Sequence, residues 1–274
     1  MKFSQAKYTK KYNKTNYKMY QFRIKKNDEE LIQFLDSKKD RNNYLVSLLK
    51  NECSLTKKLN RNTWDSLFQS TYSTYVYYAN VKNLNIQENI GKLPQKRQQK
   101  ANSLVLENDK KLSVGVYLLL EKSLKIHHVD ITKNKLKIGK NGKPYLEGNP
   151  FYISLSHSGD FVAVVLSKFP VGIDIQKTRR VNSSIFKLIF NENDNDFYIN
   201  SRNKSKAFYK IWTFKESYLK MTGEGLTKSL KSIFIDYTYN FNGSFFTNYC
   251  IENKYQLSVC SKTYGIKTFK KLKI

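Results

Sequence analysis

Long hydrophobic runs are missing from this chain. The best apolar stretch, Val114 to Leu120, falls far short of the roughly 20 residues that a membrane-crossing helix needs. No apolar segment stands behind the basic N-terminal residues, so a secretory signal is not expected. Cysteine is scarce: Cys53, Cys250 and Cys260 are odd in number and form no Cys-x-x-Cys pair, as expected in a reducing compartment. Together these absences lead to the expectation of a soluble cytoplasmic protein. Acidic residues are also short, 22 Asp+Glu against 49 Lys+Arg, for a net charge of +27. That excess suits anionic partners such as phosphates, nucleic acid or an acidic protein surface. The lysines are spread along the whole chain, as compositional drift would also leave them, so charge alone does not decide the function.

What is present is enough to build a core. Hydrophobic residues make up 40% and aromatics 14% of 274 residues, a length for one large domain or two small ones. Residues 1–26 hold nine Lys/Arg and no acid, whereas residues 27–60 hold six of each sign. Between Met19 and Lys25, Tyr20, Phe22 and Ile24 alternate with Gln21, Arg23 and Lys25, the period-two pattern of a strand. Asn27-Asp-Glu-Glu30 then opens one helix, and Asn42-Asn43 can cap a second. This strand-helix-helix unit, about residues 17–51, resembles the ribbon-helix-helix DNA-binding domains, which implies Gln21 and Arg23 against base edges in a major groove. A plain N-terminal extension packed on the main domain is the competing reading.

From Tyr72 onward a longer unit is expected. Strands are predicted at 71–78, 152–155, 161–167, 171–176, 232–239, 245–251 and 255–261. Helices are predicted at 102–125, 184–199 and 204–221, a turn at Gly139–Pro144, and a hairpin turn at Asn242-Gly243. There are no repeats, and like elements cluster, which is the pattern of an α+β fold.

Three constellations could carry chemistry. In Val171-Gly-Ile-Asp-Ile-Gln176 the apolar residues share one strand face, and Gly172, Asp174 and Gln176 the other; two oxygen donors there make a half-site for a hard cation such as Mg²⁺. In Trp212-Thr-Phe-Lys-Glu-Ser-Tyr-Leu-Lys220, helical spacing puts Trp212, Glu216 and Lys220 on one stripe, a spacing that a surface ion pair would also have. Ile153-Ser-Leu-Ser-His-Ser-Gly159 alternates as a strand and is expected to break at His-Ser-Gly, where His157 and the serines can donate to phosphate. The serines do not form the Gly-x-Ser-x-Gly elbow of hydrolases. Gly139-Lys-Asn-Gly-Lys143 fails the P-loop spacing, with Pro144 where Ser or Thr is required.

Taken in order, Gly142-Lys-Pro144, Ser154-Leu-Ser-His-Ser-Gly159, Gly172-Ile-Asp-Ile175, Trp212, Phe214-Lys-Glu-Ser217 with Lys220, and Gly223-Glu-Gly-Leu226 closely resemble the 4′-phosphopantetheinyl transferases of the surfactin-synthetase-activating type. The resemblance covers about residues 70–262. It implies a pseudo-twofold pair of α+β subdomains, 69–170 and 171–274, behind a basic extension, 1–68. It further implies Mg²⁺-dependent transfer of the phosphopantetheine arm of coenzyme A to a serine of an acidic carrier protein. By resemblance, Asp174 and Glu216 are Mg²⁺ ligands, Glu216 is also the base for the carrier serine, and Lys220 neutralises the leaving oxygen. Lys143, Ser156 and His157 match positions that bind the nucleotide phosphates. Lys111 matches an arginine that binds the 3′-phosphate, and Lys96 continues that basic rim. Gln176 departs from the pattern, because many members carry a second acid there; an amide can still coordinate through oxygen, at the cost of one negative charge. The alternative function is DNA binding through residues 17–51, with an inactive transferase-like domain.

Overall fold

The computed structural model describes residues 73–274, apart from residues 140, 149, 226–228, 236–239, 242–243 and 264. The strand-helix-helix unit expected at 17–51 and the boundary expected at 68 lie outside the described residues. In chain order the elements are β1 (Thr74–Asn80), α1 (Ile86–Ile90), α2 (Gln95–Asn102), α3 (Glu107–Ile126), β2 (Leu136–Ile138), β3 (Pro144–Leu146), β4 (Tyr152–Ser158), β5 (Phe161–Ser167) and β6 (Val171–Lys177). After a 3₁₀ turn at Ser183–Ile185 come α4 (Phe186–Ile189), α5 (Glu192–Ile199) and α6 (Lys204–Thr222). A second 3₁₀ turn, Leu230–Ser232, leads to β7 (Asn240–Phe241), β8 (Ser244–Ile251), β9 (Tyr255–Ser261) and β10 (Thr268–Lys271). The fold is α+β.

Two four-stranded sheets carry the structure. The first has the order β10-β1-β5-β4 and the second β6-β9-β8-β7, with β2-β3 a separate hairpin. All pairings are antiparallel except β1 with β10, which run parallel. The C-terminal strand therefore returns to the first sheet after the second is complete.

Burial follows strand alternation. Along β5, Val162, Val164 and Leu166 enter a core with Leu112, Val116, Leu119 and Leu120 of α3. Phe161, Ala163 and Val165 point the other way, into a second core with Val171, Ile173 and Ile175 of β6 and Leu257 and Val259 of β9. Both faces of β5 are thus covered, which is why its sequence reads as one apolar run. On the far face of the second sheet, Phe214, Tyr218 and Leu219 of α6 pack with Phe246 and Cys260. The layers run α3, first sheet, second sheet, α6.

Several elements differ from expectation. The helix expected at 102–125 begins at Glu107; Ser103–Leu106 separate it from α2, and Val105 and Leu106 are exposed. The helix expected at 184–199 is broken between Ile189 and Glu192. Asn191 caps α5 through a capping box with Asp194, and its amide also donates to the Ile233 carbonyl at 2.9 Å. Where a strand was expected from 232, Leu230–Ser232 closes a 3₁₀ turn that delivers Ile233 and Ile235 to the core under α6, and residues 236–239 lie outside the described residues. β4 continues to Ser158, so His157 lies within the strand instead of beyond its end. β10 was not anticipated.

Candidate active site

Gly172 sets the spacing between β6 and α6. A Cβ there would sit well inside van der Waals contact of the Ser217 carbonyl oxygen and the Met221 nitrogen, so only glycine lets the helix lie directly on the strand. Asn203 caps the start of α6 and Gly223, at φ 76°, ends it in the left-handed region. The close approach puts the last turns of α6 over Asp174, which is buried. Lys220 Nζ donates to Asp174 Oδ1 at 2.7 Å and to Ser156 Oγ at 3.0 Å.

The serines of β4 join the two sheets. β4 and β6 are edge strands of different sheets, and the N–H groups of Ile173, Ile175 and Lys177 donate to Ser154 Oγ, Ser156 Oγ and Ser158 Oγ at 3.1, 3.2 and 3.0 Å. A ladder of side-chain hydroxyls thus replaces the backbone ladder that an edge strand lacks. Having accepted a backbone N–H, each hydroxyl has its own hydrogen to give. Ser156 gives it to Asp174 Oδ1 at 2.8 Å, and Ser158 to Gln176 Oε1 at 3.3 Å.

Glu216 shares this corner. Burial, and then the charge of Asp174, push its carboxyl above the usual glutamate range, with Lys220 acting in the opposite direction. His157 keeps solvent contact at the strand edge, yet desolvation of its ring, helped by the Lys220 ammonium, lowers its pKa; Asp109 and Asp174 pull the other way. Asp174, Glu216, Lys220, Ser156 and His157 are therefore one electrostatic group.

The remaining candidates are placed differently. Lys143 sits at the C-terminal end of α6, where Nζ donates to the Met221 carbonyl at 2.7 Å and to that of Val171 at 3.5 Å. Beside it, Asn141 Nδ2 donates to the Gly223 carbonyl at 2.9 Å, so the β2–β3 turn caps the helix that bears Glu216 and Lys220. Desolvation lowers the Lys143 pKa to about 8, with a small opposing effect from Cys260. Lys111 pairs with Glu107 at 2.9 Å and donates to the Lys82 carbonyl, and Lys96 is exposed on α2. Neither contacts the acid group among the described residues. Gln176 Nε2 donates to Asp174 Oδ2 at 3.3 Å.

Sequence reasoning missed three contributors. Asp109 and Lys100 both act electrostatically on His157. Ser158 anchors Gln176; its signal was the third serine in the same alternation as Ser154 and Ser156. Lys215, inside the Trp212–Lys220 segment, faces away from the site: it is fully buried, paired with Asp194, and donates to the carbonyls of Ile189 at 2.7 Å and Leu230 at 3.0 Å.

Parts of this chain are similar to known proteins. Residues 170–268 match the family model of the 4′-phosphopantetheinyl transferase superfamily, and that segment contains β6, α6 and β9. The chain is 33% identical to the 4′-phosphopantetheinyl transferase gsp of Aneurinibacillus migulanus over 43% of its own length and 51% of that protein. It is 35% identical to psf-1 of Bacillus pumilus over 34% of its length and 41% of the relative. It is 24% identical to Sfp of Bacillus subtilis (strain 168) over 61% of its length and 81% of the relative. The matched stretch thus spans about half or less of the first two relatives and most of the third. Residues 170–268 are thus similar to the 4′-phosphopantetheinyl transferase superfamily, and parts of the chain are similar in sequence to its gsp, psf-1 and Sfp members.

Proposed function

We propose that this protein transfers the 4′-phosphopantetheine arm of coenzyme A to a serine of an apo carrier protein. The observation that carries the reading is the meeting of Asp174, Glu216 and Lys220, from β6 and α6, with Ser156 and His157 from the neighbouring sheet. We read the two sheets, each backed by its long helix, as the pseudo-twofold halves (69–170 and 171–274, with β10 of the second crossing back to the sheet of the first), with residues 1–68 as an extension and coenzyme A between the halves.

The donor set fits Mg²⁺. A Glu216 carboxyl whose ionisation is made costlier by burial and by the charge of Asp174 is stabilised by a hard cation, and Mg²⁺ typically uses one or two carboxylates together with substrate phosphates. No group of three or more His, Cys, Asp or Glu residues with metal-binding placement exists among the described residues. Asp174 and Glu216 would hold it, and when bound it would offset the charge of the pyrophosphate oxygens.

The residues then divide the work. His157 and the lysines Lys143, Lys111 and Lys96 bind the nucleotide phosphates, while the Ser156 hydroxyl, committed to Asp174, orients that acid instead of reaching phosphate. The Glu216 carboxylate takes the proton of the carrier serine as its oxygen attacks the phosphorus nearer the pantetheine. The new O–P bond forms as the bond to the bridging oxygen breaks, and that oxygen departs on 3′,5′-ADP. Lys220 donates to it as its charge grows. The surplus of cations suits docking of an acidic carrier protein.

Chromatographic measurement of 3′,5′-ADP release tests the assignment. Glu216→Gln is nearly isosteric and should release none while keeping its thermal unfolding profile. Release at the wild-type rate would remove Glu216 from the role of base.

A further inference from the structure

The acid two residues before Gln176 is held by hydrogen bonds on both of its oxygens, and this bears on what Gln176 does. Asp174 Oδ1 accepts from Ser156 and Lys220, and Asp174 Oδ2 accepts from Gln176 Nε2. A carboxylate can only accept, so the amide must turn its NH₂ end toward Asp174. Its other end is fixed as well. Ser158 Oγ already accepts the Lys177 N–H, so its hydroxyl hydrogen is directed onward to Gln176 Oε1. Two parallel relays therefore run from β6 through β4 and back: Ile175 N–H to Ser156 to Asp174 Oδ1, and Lys177 N–H to Ser158 to Gln176 to Asp174 Oδ2.

From this we infer that Gln176 is a positioning residue, which together with Ser158 orients the Asp174 carboxylate for the metal, instead of being a metal ligand itself. The inference rests on the metal-binding part of the proposed function. An amide oxygen engaged by Ser158, on a group whose nitrogen faces the acid, is turned away from any cation that Asp174 holds. Glutamate at this position would set a second carboxylate against Asp174 Oδ2 and remove the donor. Glutamine keeps the acid hydrogen-bonded without adding charge, and the ligand set is reduced to Asp174 and Glu216 from the protein.

The two roles predict opposite effects of Ser158→Ala. That change frees the Gln176 oxygen: a ligand would bind metal as well as before or better, whereas a latch would lose its anchor and bind worse. The experiment is titration of the full chain with Mn²⁺, free ion being read by electron paramagnetic resonance without coenzyme A or carrier. Ser158→Ala and Gln176→Leu should each weaken Mn²⁺ about tenfold, the usual effect of removing a group that orients a ligand. The double variant should be no weaker than Gln176→Leu, and Ser158→Thr, which keeps the hydroxyl, should restore binding.

Ser154→Ala is the matched control. It too removes an acceptor for a β6 N–H, that of Ile173, but Ser154 makes no contact with the acid among the described residues, so its affinity should equal the wild type's. Equal or tighter Mn²⁺ binding by Ser158→Ala, equal weakening by Ser154→Ala, or no Mn²⁺ binding by the wild type would each overturn the inference. Carrier modification with any of these results would leave the transferase reading standing and remove only the latch.

Discussion

Lys215 shows how a residue inside a functional segment can serve the fold alone. It stands between Phe214 and Glu216, yet its ammonium is fully buried with Asp194 and with the carbonyls of Ile189 and Leu230. Lys215→Met would leave the Asp194 carboxylate buried without its cation and should cost about 3–5 kcal/mol in urea unfolding. A loss under 1 kcal/mol would mean that water reaches the pair. Lys143 offers a pH test. Its folded pKa, about 8, lies below the ordinary 10.5, so between these values the unfolded chain binds more protons and stability rises with pH. Lys143→Met should remove that part of the rise between about pH 8 and 10.5, seen as a smaller increase in the unfolding midpoint than in the wild type. An identical slope would show that Lys143 keeps an ordinary pKa. At this scale the sequence was informative about chemistry and silent about direction. Glu216 and Lys220 were legible as one helical stripe by spacing, and Asp174 joined them only through the resemblance to the transferases. That Lys215 turns inward, and that Lys143 caps a helix, depends on partners 15 or more residues away.

Among elements, the decisive contact is α6 on β6. Gly172 lets the helix approach, and the Ser154-Ser156-Ser158 ladder holds β6 against β4. Gly172→Ala would force the helix off the strand and move Glu216 and Lys220 relative to Asp174. The expected outcome is a stability loss of at least about 1–3 kcal/mol, typical of overpacking, with loss of 3′,5′-ADP release. Full activity with an unchanged melting temperature would mean that the helix can shift without cost. β5, β6, β8 and β9 were readable close to their observed limits, whereas β4 runs three residues past its expected end at Leu155. Helix breaks were not: Asn191 ends a continuous-looking helix because its amide is needed at Ile233, 42 residues on. β10 escaped notice because Thr268–Lys271 is short, carries two lysines and gains its place only by pairing with β1.

The described residues form two four-stranded sheets sharing one inner core, with α3 and α6 outside and β10 closing the first sheet after the second is complete. The ordered series of motifs, more than any single one, carried the family resemblance in the sequence. The union of two edge strands through serine hydroxyls had no sequence precedent to reveal it, since Ser-x-Ser-x-Ser reads equally as an exposed strand face. No helix among the described residues is long and apolar enough to cross a membrane. The most direct test of the transferase reading is intact-mass spectrometry of apo carrier proteins incubated with this chain, coenzyme A and Mg²⁺. A mass gain of one phosphopantetheine on a single carrier serine, abolished by EDTA, is the expected result; unchanged mass on every carrier, from protein verified as folded, would contradict it.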